Sequence, residues 1–135
     1  MPRRRRLRKI VAPPGFKGYK PYGHRPNSKM VELLYEEYEA IKLADYDLLN
    51  QLEASKLMGI SRATFARIYE SARRKIAEAL VETKEIKTVY GNAHMDENWY
   101  VCNQCHARFN LPDPTTASCC PMCKSDEINN IITND

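Results

Sequence analysis

The sequence predicts a mainly α fold, in which a three-helix helix-turn-helix domain precedes a small C-terminal β module organised by cysteines. Residues 51–80 form two amphipathic segments separated by Gly59, and residues 33–45 carry apolar side chains at helical spacing. Four cysteines within residues 102–123 form two Cys-x-x-Cys pairs. We divide the 135 residues into a basic arm (1–29), a helix-turn-helix domain (30–91) and a cysteine module (92–135).

The helix pair is predicted over residues 51–58 and 62–80. Gly59 ends the first helix, because Gly readily adopts the left-handed backbone of a tight turn. The Ser61 hydroxyl can cap the second helix, which contains no Gly or Pro. Two helices crossing at a steep angle must bury side chains between them. The side chains expected there are Ala54, Met58, Ile60, Phe65 and Ile68.

One face of the second helix is left exposed, and we expect it to enter the major groove of double-stranded DNA. The residues assigned to this contact, with the cap, are Ser61, Arg62, Ala63, Thr64, Ala66, Arg67, Arg73 and Arg74. The alternative is an ordinary helical hairpin with a solvated charged face.

The arm is strongly basic. Residues 1–29 hold ten Lys or Arg and no acid, a net charge of +10, whereas residues 30–135 hold eleven basic and seventeen acidic residues, a net charge of −6. A basic arm on an acidic body is typical of polyanion binding. We expect an irregular arm that lies along phosphates or enters a minor groove through Arg3, Arg4, Arg5 and Arg6. A solubilising tail and a targeting signal are the alternatives.

The segments flanking the helix pair are expected to complete the domain. The helix over residues 33–45 should pack across the pair, and its cluster of Glu36, Glu37 and Glu39 should form an acidic face that repels DNA. Residues 84–90 alternate in the manner of a strand. A strand at this position, after the second helix of the pair, would make the domain a winged helix-turn-helix. Because no signal peptide or membrane span is recognisable, we expect a cytoplasmic protein.

The cysteines predict a metal site. Cys102 and Cys105 form one pair and Cys120 and Cys123 the other, and fourteen residues separate the pairs. Two paired thiolates at this spacing can each wrap a tight turn around one cation, and four sulfurs satisfy tetrahedral zinc. We therefore expect a zinc ribbon holding one structural Zn²⁺, with an apolar patch of Trp99, Val101, Phe109, Ile128 and Ile131.

Two other uses of the cysteines are weighed against zinc. A disulfide framework conflicts with a cytoplasmic location. A single iron, as in a rubredoxin-like electron carrier, is the second, although rubredoxins usually place Gly where His106 and Lys124 stand. Cys119 is surplus, and could be an inert small residue, an alternate ligand or an oxidisable thiol. His106 is interpreted as non-ligating, and His24 and His94 are interpreted as surface residues.

The first 91 residues resemble a prokaryotic family of predicted DNA-binding proteins, UPF0251 or DUF134. The resemblance rests on residues 19–21, 39–45, 58–67 and 72–80. Departures at residues 52–55 and at Thr83 lie outside the predicted DNA face. The resemblance implies a helix-turn-helix like region 4 of sigma-70 factors, and DNA binding without a particular promoter or ligand.

These observations predict a sequence-specific DNA-binding protein, a transcriptional regulator, with a structural zinc site. No nucleophile–base pair, phosphate loop or open metal site is recognisable, so we do not expect an enzyme. RNA polymerase or another protein is a candidate partner of the zinc ribbon, and a second copy of the chain is a candidate for a homodimer. An interaction module and the iron electron carrier are the alternative functions.

Overall fold

The computed structural model describes residues 7–23, 29–95, 99–110 and 119–131. Helices account for 37% of them and strands for 24%, and the strands form three small sheets. The protein is therefore a mixed α/β fold, and the prediction of a mainly α fold is wrong. Most of the missed strands have two to five residues and pair with segments far away in the sequence, which local periodicity does not reveal.

The elements fall in two runs, with all helices between the third and fourth strands. In chain order they are β1 (Arg8–Lys9), β2 (Gly18–Tyr19), β3 (Met30–Leu34), α1 (Tyr35–Ile41), a π-helical segment (Lys42–Tyr46), α2 (Gln51–Leu57), α3 (Arg62–Glu82), β4 (Glu85–Val89), β5 (Ala93–His94), β6 (Trp99–Cys102), β7 (Arg108–Asn110) and β8 (Ile128–Asn130).

The central sheet has the order β2-β4-β3. Strands β3 and β4 pair in parallel over five residues, from Met30 opposite Glu85 to Leu34 opposite Val89. Strand β2 pairs antiparallel on the other edge of β4. The predicted strand over residues 84–90 is thus confirmed as β4. Helix α1 begins two residues later than the helix predicted over residues 33–45, because Leu33 and Leu34 belong to β3.

The predicted helix pair is present as α2 and α3. The Asn50 side chain caps α2 by accepting a hydrogen bond from the backbone N–H of Glu53, at 2.8 Å. Gly59 has a φ of +67°, the left-handed conformation that the turn requires. Ser61 caps the start of α3, and Thr83, which is also left-handed with a φ of +55°, caps its end.

The core of the helical region lies where the three helices meet. Ala54, Met58 and Phe65 are fully buried there, as predicted, together with Ala40 and Leu43 from α1 and the π-helical segment. Ile60 and Ile68 are half-buried against the same cluster. The apolar pattern of the helix pair therefore identified its packed face correctly.

The acidic residues of α1 are buried, contrary to the expected acidic face. Glu37 accepts hydrogen bonds from the backbone N–H of Leu34 at 2.8 Å, from the Ser71 hydroxyl at 2.6 Å and from the Lys75 ammonium at 2.7 Å. Glu36 accepts a hydrogen bond from the backbone N–H of Asn92, at 2.9 Å. These carboxylates join α1 to α3 and to the segment after β4, and they do not form an exposed acidic face.

Glu39 is buried on another side of α1. Its carboxylate accepts a hydrogen bond from the backbone N–H of Val11, while Oε2 has no hydrogen-bond partner among the described residues. Burial raises the pKa of Glu39 above its ordinary value, because the charged form loses its hydration.

Part of the basic arm is structured. Strand β1 pairs in parallel with β5, and Ile10, which follows β1, is fully buried against Tyr35, Ala93 and Ile131. These contacts bring the arm, the start of α1 and the end of the cysteine module into one apolar cluster. In the part of the chain that the structure describes, no helix is long and apolar enough to cross a bilayer.

We predict that Glu37→Ala lowers the free energy of unfolding by about 2–4 kcal/mol, since it removes three hydrogen bonds and leaves Lys75 without its partner. Glu70→Ala is the matched control, because the exposed pair of Glu70 with Arg74 on α3 should contribute less than about 1 kcal/mol. Urea denaturation of both variants measures the difference. Equal destabilisation of the two variants would contradict the buried role of Glu37.

Candidate metal centre and nucleic-acid interface

The four predicted cysteines meet at one point. The ligand atoms of Cys102, Cys105, Cys120 and Cys123 all lie within 4.8 Å of one another. The Sγ atoms of Cys102 and Cys123 are 3.6 Å apart, and those of Cys105 and Cys120 are 3.7 Å apart. Zinc bonded to four sulfurs at about 2.3 Å would separate them by about 3.8 Å. The four cysteines are therefore positioned to hold one metal ion.

Each Cys-x-x-Cys pair forms the same tight turn. The backbone N–H groups of Gln104 and Cys105 donate to Cys102 Sγ at 3.4 Å, and the N–H of Met122 donates to Cys120 Sγ at the same distance. Such donors stabilise a thiolate. The N–H of Cys105 in particular lowers the pKa of Cys102 to about 7, and the N–H of Cys123 lowers the pKa of Cys120. The thiolate forms of Cys102 and Cys120 are thus favoured, whereas the pKa of Cys123 is raised, because desolvation and the neighbouring thiols outweigh the backbone hydrogen bond of Ser125.

The residues after each pair complete the two turns. His106 and Lys124 have φ angles of +64° and +66°. Their backbone N–H groups donate to the carbonyl oxygens of Cys102 and Cys120, each at 2.9 Å. The left-handed backbone, which Gly adopts at least cost, is thus held here by two larger residues.

Cys119 and His106 are not members of the ligand cluster. His106 is exposed and Cys119 is half-buried beside Cys120. No disulfide joins the five cysteines, all of which the structure describes. The assignment of four ligands and one surplus thiol agrees with this geometry.

The predicted apolar patch of the cysteine module is divided between the two faces of its sheet, which has the order β7-β6-β8. Phe109 is buried with Cys102 and Cys120, and Ile128 packs against the three. The remaining members lie in the cluster around Ile10 and Tyr35: Trp99, Val101 and Ile131. The period of two along β6 explains the division, since successive side chains point to opposite faces.

The start of α3 carries most of the residues predicted to contact DNA. The Ser61 hydroxyl accepts a hydrogen bond from the backbone N–H of Thr64 at 3.1 Å and donates to Thr64 Oγ1 at 2.9 Å. Arg62, Ala63 and Arg67 are exposed. Arg67 Nη2 donates to Thr64 Oγ1 at a long 3.4 Å. The guanidinium groups of the first two turns are therefore open to solvent.

Further along α3, the exposed face continues through half-buried Ala66 to two more arginines. The Arg73 guanidinium lies 5.3 Å from the centre of the Tyr69 ring, and Arg74 forms an exposed ion pair with Glu70 at 3.0 Å. The structure thus brings the predicted positions of α3 to one face. The assigned arginines of the arm, Arg3 to Arg6, lie outside the described residues.

Residues that sequence reasoning missed fix the orientation of α3. The Tyr69 hydroxyl donates to Asp45 at 2.6 Å, an interaction that raises the pKa of Tyr69. Ser71 and Lys75 bind Glu37, which is more than thirty residues away in the sequence. No local pattern signals such pairs. They hold the buried side of α3 and so determine which side remains exposed.

The fold and the site define a small α/β protein that joins a capped helix pair to a four-cysteine metal module. A family model described as a protein of unknown function, DUF134, matches residues 1–96. The chain belongs to this family, whose members carry the name UPF0251.

Relatives align with nearly the whole chain. A UPF0251 protein of Chloroherpeton thalassium is 37% identical, over 97% of this chain and 87% of its own. One from Methanothermobacter thermautotrophicus is 39% identical, over 96% of this chain and 67% of its own. One from Caldicellulosiruptor saccharolyticus is 39% identical, over 95% and 88%. No solved structure matches.

We predict that Cys119→Ser keeps one metal ion per chain, whereas Cys120→Ser loses the metal or binds it weakly. Cys120 lies in the sulfur cluster, but its neighbour does not. Elemental analysis of the purified wild type and both variants measures the stoichiometry and identifies the metal. Iron in place of zinc, or metal loss in the Cys119 variant alone, would overturn the assignment.

Proposed function

We propose that this protein is a transcriptional regulator that binds double-stranded DNA sequence-specifically through the exposed face of α3. The observation that carries the proposal is the arrangement of that face. A tight turn at Gly59 and the Ser61 cap present the start of α3, where exposed Arg62 and Arg67 flank small residues. Small side chains allow a helix to approach base edges, and arginine forks suit guanine and phosphate.

The residues packed behind α3 support the helix and determine the charge near its exposed face. Phe65 and Ala72 are fully buried on the opposite side, so α3 is supported along its length. The acids of α1 that bind α3 are buried and partly neutralised by Lys75. Glu70 lies on the exposed face and pairs with Arg74, and exposed Glu78 and Glu82 near the end of α3 pair with Lys84. The field presented to DNA is therefore mainly that of the arginines.

In this proposal the cysteine module holds one structural Zn²⁺ through Cys102, Cys105, Cys120 and Cys123. Zinc bonded to four thiolates has no open position for water, so it would stabilise the module without catalysing a reaction. We accordingly assign no enzymatic step to the chain, and place its action in the cytoplasm with the DNA it would bind.

We predict that Arg62→Ala with Arg67→Ala weakens binding to the preferred DNA sequence by about 10- to 100-fold, since an arginine that reads guanine is worth about 1–3 kcal/mol. The target is first selected from a random pool of duplexes. Affinity for it is then measured at one fixed salt concentration and compared with affinity for an unrelated duplex.

Lys84→Ala is the control for this experiment. It removes a cation that pairs with Glu78 and Glu82 beyond the end of the exposed face. The control should retain the affinity of the wild type. Unchanged affinity in the double arginine variant, with its helical content intact, would contradict the assignment of α3 as the helix that contacts DNA.

We predict that deletion of residues 2–6 lowers DNA affinity and flattens its dependence on salt. The deletion removes four arginines and leaves β1 and its pairing with β5 in place. For every phosphate that the arm neutralises, its deletion should reduce the slope of log affinity against log salt by about 0.9 on duplex DNA. The slope is measured between low and physiological salt. An identical slope before and after deletion would mean that the arm does not contact phosphates.

A further inference from the structure

A cleft of about 470 Å³ opens between the central sheet and the sheet of the cysteine module. One wall is formed by Lys87 on β4 and by Lys17, just before β2. The carbonyl oxygen of Lys17 accepts hydrogen bonds from the backbone N–H of Thr88 at 2.8 Å and from its hydroxyl at 3.0 Å. Lys17 is therefore held beside Thr88, the residue that follows Lys87 on β4.

The other wall is a row across the three strands of the cysteine module. Val101 on β6 stands opposite Arg108 on β7 and opposite Asn129 on β8. Residues directly opposite each other in a sheet project their side chains on the same face. All three line the cleft, and buried Tyr35 and Ile131 contribute to its apolar lining.

The lining of this cleft has an excess of positive charge. Its lining includes three cationic residues, Lys17, Lys87 and Arg108, and no acidic residue. Lys87 stands opposite Glu32 in the register of β3 and β4, but Glu32 is not part of the lining. Among the described residues, none of the three cleft cations has a carboxylate oxygen within 4.0 Å.

We propose that this cleft binds a small nucleoside phosphate. The cationic residues that line the cleft suit phosphate groups, because ammonium and guanidinium donors form strong charge-assisted hydrogen bonds with them. The amide groups of Asn103 and Asn129 can bind the edge of a base, beside an apolar lining. The volume lies within the range of about 300–1,000 Å³ typical of small-molecule sites.

A ligand here would contact both modules at once. Lys87 belongs to β4, which follows α3 after two residues, whereas Arg108 and Asn129 belong to the sheet that carries the cysteines. Binding would therefore favour one relative placement of the two sheets. This inference goes beyond the proposed DNA binding and does not depend on it, because it concerns a different part of the surface.

The test is a titration of the full-length, metal-loaded protein with adenosine diphosphate, followed by calorimetry and by the fluorescence of Trp99. Trp99 is the single tryptophan and packs in the same apolar cluster as Val101 and Ile131. We expect one site per chain, with weaker binding of adenosine and of inorganic phosphate, since each of these two probes lacks part of the groups that the cleft would bind.

Variants locate the site. Lys87→Gln and Arg108→Gln should each weaken adenosine diphosphate binding about tenfold, the effect of removing one charge-assisted hydrogen bond. Lys56→Gln, which removes an exposed cation from α2, should leave it unchanged. Thermal unfolding establishes that all three variants are folded.

Three results would overturn the inference. The first is the absence of adenosine diphosphate binding to the wild type, and the second is an equally weakened affinity in the Lys56 control. The third is competition by a duplex oligonucleotide that displaces adenosine diphosphate and itself binds less tightly to the Arg108 variant. This last outcome would identify the phosphates in the cleft as those of a DNA backbone.

Discussion

Parallel pairing of β3 with β4 is the contact on which the rest of the structure depends. Parallel neighbours need a long crossover, and here the crossover contains every helix of the described chain. Only two residues separate α3 from β4, so the strand pairing fixes the position of the end of α3, the helix that we propose to contact DNA. The other edge of β4 receives β2, so the same strand also holds part of the arm.

Buried carboxylates further restrict how the helices and the loop after β4 pack together. Glu37 bonds α1 to α3 through Ser71 and Lys75, and Glu36 bonds the start of α1 to Asn92. A Cβ atom at Gly91 would collide with the Glu36 carboxylate, so a larger residue there would displace this side chain from its hydrogen bond with Asn92. Burying charged groups is costly unless they are paired or hydrogen-bonded, and these contacts therefore favour one arrangement of α1, α3 and the loop over others.

The parts of the fold that the sequence could predict are those with local signals. The helix pair was readable from Gly59, the Ser61 cap and apolar spacing, and the metal cluster from the spacing of four cysteines. Strand β3 was not, because Leu33 and Leu34 fit the helical spacing to Tyr38 as well as they fit a strand. The burial of Glu37 depends on partners more than thirty residues away, so the local sequence predicts an exposed charge at this position.

The alternation of side chains along β6 links the metal site to the remainder of the protein. Cys102 faces the sulfur cluster, whereas the adjacent Val101 faces Tyr35, Ile10 and the cleft. Movement of one face of a strand also moves the other face, because both sets of side chains are attached to one backbone. A cation that fixes Cys102 would thus also fix the wall formed by Val101, Arg108 and Asn129. Binding of a metal ion would therefore be coupled, through this one strand, to the contact of the cysteine module with the start of α1.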